Sequence, residues 1–211
     1  MLEPPRWVTA GPASRASRGR GEETVRRILA AGRDCFRSYG YAAARIDDIV
    51  TVAGTSHGAF YLYFRNKEDL LHRLAVECGA QLRELTADLR AMHRPVRPED
   101  LEDWVARFVA LYQHDGPVIR VWLDNRDGDP LMQALANESL GPLANALADL
   151  VDPALAGQLD ARMAGLGLLS MLERLSSYLR DDISEQLATA TAARLILATT
   201  MHSDPRAPLP R

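Results

Sequence analysis

Apolar residues recur at helical spacing along most of the chain. Between residues 25 and 36 they fall at i, i+3, i+4, i+7 and i+11, the period of an amphipathic helix. Gly40 follows this stretch, in the position where a glycine commonly ends a helix. Two short helices are predicted next, over residues 45–52 and 56–64, with Gly54 in the turn between them. The first part of the chain is therefore predicted to form three helices in close succession.

Longer apolar stripes follow, again with the helical period. Asn66 can cap a long helix, with Asp69 three residues later in a capping-box arrangement. Pro98 suits the first turn of the next helix, whose pattern is predicted to break at Gly116-Pro117 before a short apolar helix. Further helices are predicted over 131–150, with a bend at Gly141-Pro142, and over 153–179 and 184–201. Because no stretch alternates as a half-buried strand does, the predicted fold class is all-α.

Both ends of the sequence depart from this helical pattern. Residues 1–21 are rich in Pro, Gly, Ser and Arg, and we expect them to form a disordered basic arm. Residues 204–211 contain three prolines, and we expect them to form a disordered tail. The N-terminal stretch has arginines but no apolar core, so it does not resemble a secretory signal.

Composition narrows the class of protein. A chain of 211 residues with a hydrophobic share of 47% can bury a substantial core. No apolar run approaches the ~20 residues that a membrane span needs, so no membrane partner is expected. Cys35 and Cys78 are too few and too far apart for a disulfide framework or a zinc site. We therefore expect a cytoplasmic protein.

The charge is distributed unevenly along the chain. Residues 1–45 hold nine arginines and four acidic residues, whereas residues 71–211 hold 14 arginines and 20 acidic residues. A basic end joined to an acidic remainder is typical of a protein that meets a polyanion at one end. A solvated basic tail explains the same charges equally well.

The two short helices and their glycine turn form a candidate helix-turn-helix motif. Such a pair is too small to bury a core of its own, and the helix that starts at Glu22 would supply the third member. The second short helix would be the recognition helix, whose N-terminal residues face base edges in the major groove.

The run GYAAARIDDIVTVAGTSHGAFYLYFRNKEDLL resembles the DNA-binding domain of the tetracycline-repressor (TetR) family of bacterial regulators. The resemblance covers about residues 22–74 and continues without a gap. The matching features are Gly40-Tyr41, Ile46, Asp48-Ile49, Ala53-Gly54, Ser56, Gly58, Phe60-Tyr61, Tyr63-Phe64 and Lys67-Glu68-Asp69-Leu70.

The resemblance implies roles for individual residues. Phe60 and Phe64 would be core, Tyr61 and Tyr63 would place hydroxyls on phosphates, and Gly58 would let the helix backbone approach DNA. Lys67 would add its charge to a helix N-terminus and form a phosphate site with it. The implied DNA-binding residues are Arg45, Ser56, His57, Gly58, Ala59, Tyr61, Tyr63 and Lys67.

Several of these residues have a second interpretation. His57 can donate to a guanine or remain solvated, and Ser56 can cap the helix, bind a phosphate, or do both. The two tyrosines also fit the rim of an ordinary helical bundle. Ala44 departs from the family, which usually has Thr or Ser there as a cap and phosphate ligand; Arg45 would replace the lost contact.

The resemblance also implies a C-terminal domain, residues 67–203, that binds a small molecule and dimerises through its last two long helices. The implied partners are a second copy of the chain, palindromic double-stranded DNA and a small apolar ligand. Large side chains at helical spacing suit the ligand site, although such rings also form simple cores. The candidate ligand-binding residues are Trp104, Phe108, Tyr112, Trp122, Met171 and Arg174.

The predicted function is a repressor that a small apolar ligand releases from a palindromic operator, with residues 22–66 as the DNA-binding domain. A transcriptional activator, or a DNA binder that senses nothing, fits the sequence as well. An enzyme is much less favoured, because no catalytic motif occurs and the five histidines are scattered. No catalytic residue, metal site or cofactor is predicted.

Overall fold

The structure is a computed structural model, and it describes residues 15–125, 128–152, 159–178 and 184–200. The expected tail at 204–211 lies outside the described residues, as do the first 14 residues of the expected arm and the segment 153–158, where a helix was predicted to begin.

Eight helices and no strand occur in these described ranges, so the all-α prediction is confirmed. The helices are α1 Arg15–Ala43, α2 Ile46–Val52, α3 His57–Tyr63, α4 Lys67–Ala91, α5 Pro98–Asn125, α6 Pro130–Ala148, α7 Ala161–Tyr178 and α8 Glu185–Thr200. None of the described helices is long and apolar enough to cross a membrane.

The first helix begins earlier than predicted, and it ends at the predicted residue. We expected order from Glu22, whereas α1 begins at Arg15. Its regular part ends at Gly40, whose φ of 77° and ψ of 157° lie in a region that favours glycine. The prediction that Gly40 ends the helix is confirmed.

The predicted break at Gly116-Pro117 was wrong. Helix α5 runs through Pro117 without interruption, and α6 likewise runs through Pro142. An internal proline costs a helix about 3 kcal/mol. Val118 and Ile119 follow Pro117 and are fully buried or nearly so, and burying two such side chains offsets a cost of that size.

The chain divides into two compact units. Among the described residues, the first comprises 15–78, 117–125 and 128–135, and its fully buried side chains include Ile28, Phe36, Ile49, Phe60, Phe64, Leu70, Leu74 and Trp122. The second comprises 79–116, 136–152, 159–178 and 184–200, and its fully buried side chains include Leu82, Leu89, Trp104, Phe108, Leu147 and Leu172. In the first unit, α1, α2 and α3 all contact one another and form the three-helix motif.

Candidate nucleic-acid interface

The turn between α2 and α3 is fixed by an arginine of α1. The Arg27 guanidinium donates to the carbonyl of Ala53 and, at 2.6 Å, to the carbonyl of Gly54. Gly54 has a φ of 58°, and a Cβ there would lie 2.8 Å from Arg27 Nη2. The turn therefore needs glycine for its backbone conformation, and Arg27 caps the carbonyls at the end of α2. The sequence pattern did not reveal this role for Arg27.

Helix α3 is anchored by its buried face. Phe60 and Phe64 are almost wholly buried, with ring centroids 5.6 Å apart, as predicted for core residues. The helix begins at a cap, because Ser56 Oγ accepts from the Ala59 N–H at 3.2 Å. The capping interpretation of Ser56 is therefore confirmed.

The opposite face of α3 is exposed. Ser56, His57, Gly58 and Tyr61 all lie on the surface, and Ala59 is half-buried. A Cβ added to Gly58 would meet only Ser56 Oγ, at an ordinary 3.8 Å. The fold of the described residues therefore does not require a glycine at this position.

His57 makes a contact within the motif. Its Nε2 lies 2.8 Å from Asp47 Oδ1 on α2, and its ring stacks on Tyr61 with centroids 6.4 Å apart. Both members of the His57–Asp47 pair are largely exposed. A base contact through Nε2 would therefore replace the contact with Asp47.

Tyr63 is directed toward the start of α1. The residue is half-buried, and a Cβ built on Gly21 would lie 3.0 Å from the Tyr63 hydroxyl oxygen. Gly21 thus leaves room for this hydroxyl, which lies beside the N-terminal turns of α1.

Lys67, the single lysine of the chain, reaches back to the end of α1. Its ammonium donates to the carbonyls of Tyr41, Ala44 and Ala42, at 2.5, 2.8 and 3.3 Å. It also lies 4.5 Å from the centroid of the Tyr41 ring, a cation–π distance. An ammonium has three donors, and all three are used here. Burial lowers the pKa of Lys67 from its ordinary value.

Arg45 stands at the start of α2 and is exposed. Its backbone N–H donates to Asp48 Oδ2 at 3.0 Å, so the aspartate three residues later replaces part of the missing side-chain cap. The preceding residue, Ala44, is 2% exposed.

Three of the predicted ligand-binding residues come together in the second unit. The rings of Trp104, Phe108 and Tyr112 stack in series, with centroid distances of 5.7 and 4.6 Å. Trp104 and Phe108 are completely buried. The Tyr112 hydroxyl donates to Glu173 Oε1 at 2.6 Å, and burial raises the pKa of Glu173. Glu173, which together with Arg174 was expected to be half-buried as a mutual pair or a ligand anchor, is half-buried and belongs to this cluster.

The other predicted ligand-binding residues differ in setting. Trp122 belongs to the first unit, where its indole N–H donates to the Met132 carbonyl at 2.7 Å. In the second unit, Met171 is half-buried and Arg174 is exposed. Cavities of about 320 and 450 Å³ occur in the second unit, and their linings contain other residues: Gln81, Glu84, Leu85, Arg107, Ala110, Leu111 and His114 in the first, and Glu102, Asp103, Ala106, Glu185, Gln186, Thr189 and Ala190 in the second.

Comparison with protein families gives a match at the three-helix motif and the start of α4. Residues 28–74 match the model described as bacterial regulatory proteins, tetR family. These are the residues that build the buried and exposed faces described above, so the resemblance seen in the sequence is confirmed.

Two curated relatives share this region. The HTH-type transcriptional repressor AcnR of Corynebacterium jeikeium is 35% identical over 80 residues, which cover 36% of this chain and 42% of that protein. The HTH-type transcriptional repressor AcnR of Corynebacterium diphtheriae is 26% identical over 169 residues, which cover 74% of this chain and 89% of that protein. The first match thus spans less than half of the relative, and the second spans most of it.

A solved structure shares the fold. The TetR-family transcriptional regulator PfmR of Thermus thermophilus aligns with a TM-score of 0.65 and 21% identity, covering 83% of this chain and 99% of that one. The family and these relatives are regulators of transcription, a non-enzymatic kind of protein.

Proposed function

We propose that this chain is a transcriptional repressor that binds double-stranded DNA through α3. Its residues 28–74 match the TetR family of bacterial regulatory proteins. One observation carries the proposal: α3 is anchored on Phe60 and leaves Ser56, His57, Gly58 and Tyr61 exposed on its other side. An exposed helix face that begins at a capped N-terminus and contains a glycine not required by the fold suits entry into a major groove.

The exposed groups divide into two kinds of DNA contact. The hydroxyls of Tyr61 and Tyr63, the Arg45 side chain and the N-terminal backbone of α3 would bind phosphates and set the position of the helix. His57 would contact a base edge, since an imidazole can donate to N7 or O6 of guanine. The Lys67 ammonium already donates to three carbonyls, so it would not bind a phosphate directly. Its charge would instead add to the positive N-terminus of α4, which would bind the phosphate.

We further propose a homodimer that binds a palindromic operator. On α7, Met163 and Leu166 are 64% and 39% exposed, and on α8, Leu187 and Leu195 are 64% and 52% exposed. Two neighbouring helices of one unit thus expose four large apolar side chains, and burial of these side chains against a second copy would be favourable. In such a symmetric dimer the two recognition helices would lie roughly 34–36 Å apart, one turn of DNA.

The ligand proposal rests on the second unit. A small apolar molecule would bind beside the ring stack of Trp104, Phe108 and Tyr112, with Met171 and Arg174 as further candidates. Trp104 and Phe108 are fully buried, so binding beside them requires the side chains that cover these rings to move. A ligand that weakens DNA binding would do so with a coupling of typically 1–3 kcal/mol, a factor of about 5–150.

A reporter assay separates repression from activation. A promoter that carries a selected binding site is placed before a reporter gene, with and without this chain. Repression predicts lower expression when the chain is present, and the same expression as the empty control when α3 carries Tyr61→Ala. Higher expression with the wild-type chain would identify an activator and contradict the proposal.

A further inference from the structure

Three side chains with metal-ligand chemistry converge in the first unit. Glu68 and His72 lie one turn apart on α4, and Asp129 immediately precedes α6. One carboxylate oxygen from each acid and one ring nitrogen of His72 all lie within 4.8 Å of one another. None of the three belongs to the DNA-binding set described above.

Asp129 is held firmly in place within this cluster. Its Oδ1 accepts from the N–H groups of Leu131 and Met132, at 2.9 and 3.2 Å, and so caps α6. Its Oδ2 lies 2.5 Å from His72 Nε2. Burial alone would raise the pKa of Asp129, but the hydrogen bonds from His72 and from the backbone outweigh it and lower the pKa, so this carboxylate is ionised at neutral pH.

Glu68 adds a second carboxylate that this pairing does not need. Within the described part of the chain, its carboxylate makes no hydrogen bond or ion pair, and it lies on the exposed side of the cluster. Two carboxylates facing one imidazole leave at least one negative charge uncompensated. The charges of Glu68 and Asp129 also act on the Tyr41 hydroxyl, whose pKa is raised chiefly by burial and further by these two acids.

We propose that Glu68, His72 and Asp129 form a binding site for a divalent transition-metal ion of the Zn²⁺ class. One imidazole nitrogen with two carboxylate oxygens is a mixed set that suits such ions, whereas Ca²⁺ and Mg²⁺ prefer oxygen alone. Two ligands at i and i+4 on one helix face can share an ion, and the third arrives from a separate helix end. Three protein ligands, one of them exposed, leave a position for water or a fourth ligand.

The geometry needs only side-chain adjustment. Bonds of ~2.0–2.2 Å to one tetrahedral ion require ligand atoms roughly 3–3.5 Å apart. The exposed Glu68 carboxylate can approach by rotamer change, and His72 would exchange its contact with Asp129 for a shared ion. The other interpretation is that His72 and Asp129 form only a hydrogen-bonded pair and that Asp129 caps α6. This interpretation predicts no specific metal binding.

The test is a calorimetric titration of the full chain, treated first with a chelator, with ZnCl₂ alone. The proposal predicts one Zn²⁺ per chain and a thermal midpoint that rises when Zn²⁺ is present in excess. Glu68→Gln, His72→Gln and Asp129→Asn should each weaken Zn²⁺ binding at least tenfold. His93→Ala, which removes an exposed histidine outside the cluster, is the matched control and should bind as the wild type does.

The variants are chosen to keep the fold intact. Glu68→Gln keeps the size of an exposed side chain. Asp129→Asn keeps the cap of α6, because Asn caps helices about as well as Asp does. Melting curves without metal check this directly, and any variant that fails to fold is set aside because the other two decide the outcome. Absence of Zn²⁺ binding by the wild type at about 100 μM, or binding by Glu68→Gln and Asp129→Asn at wild-type affinity, would overturn the proposal.

Discussion

The Nε2 atom of His57 lies 2.8 Å from the Asp47 carboxylate, and the His57 ring stacks on the ring of Tyr61. To contact a base through this nitrogen, His57 must give up its contact with the Asp47 carboxylate. The gain in binding free energy is therefore only the difference between the base contact and the carboxylate contact. Asp47 also brings a negative charge to the surface that we propose to face phosphates. The pair therefore limits how much binding energy His57 can contribute, while still orienting its ring.

His57→Ala should relax the preference for one base pair in each half-site. The expected loss on the preferred sequence is about 1–3 kcal/mol per lost contact, with little change on sequences already mismatched there. Competition binding against all single-base variants of a selected site measures this. If the variant ranks those sequences in the wild-type order, His57 does not read a base.

Lys67 connects the start of α4 to the end of α1. Three carbonyls that accept from its ammonium lie 23 to 26 residues away in sequence. Lys67→Met should leave these carbonyls without their donor and lower the free energy of unfolding by roughly 1–3 kcal/mol. Urea denaturation measures the loss. Unchanged stability, together with a slope of log K against log[salt] reduced by about one unit, would mean that the ammonium binds a phosphate instead.

At the level of the helices, the fold requires one of two neighbouring glycines, in the turn before α3, and does not require the other, within α3. Gly54 has a φ of 58°, whereas a Cβ on Gly58 would meet only ordinary contacts. Gly54→Ala should destabilise the fold by about 1–2 kcal/mol, because a side chain is strained at positive φ. Gly58→Ala should leave stability equal or slightly higher, since alanine favours helix.

The same pair separates folding from DNA binding. Gly58→Ala should weaken DNA binding at unchanged stability, because its methyl group would lie between the helix and the groove. Thermal melting and DNA titration of both variants give the comparison. Wild-type DNA affinity for Gly58→Ala would show that α3 does not approach DNA at this residue.

Local sequence signals were enough for the short elements. The predicted ranges 45–52 and 56–64 differ by only one residue at three of their four ends from α2 Ile46–Val52 and α3 His57–Tyr63, because a glycine turn and a serine cap mark them. Helix α5 was mispredicted at Pro117, since the rule for proline ignores burial of the residues that follow. The donors Arg27 and Lys67 could not be assigned, because their acceptors lie far away in sequence.

At the scale of the whole molecule, the proposed dimer depends on the exposed apolar residues of α7 and α8. Leu166→Arg or Leu195→Arg should produce monomers and abolish tight DNA binding together, because a charge buried in an apolar interface is costly. Leu131→Arg, at an exposed leucine of the first unit, is the matched control and should remain dimeric. Sedimentation velocity at micromolar concentration distinguishes the states. A wild-type monomer, alone and on DNA, would contradict the dimer.

If two copies of α3 read one symmetric stretch of DNA, selection of bound duplexes from a random pool should show this symmetry in the enriched sequence. The proposed dimer should enrich an inverted repeat whose half-site centres lie about one helical turn apart, or slightly more. Tyr61→Ala and Gly58→Ala should weaken the enrichment. No enriched sequence, or a single half-site without its inverted copy, would mean that the two recognition helices do not bind DNA as a symmetric pair.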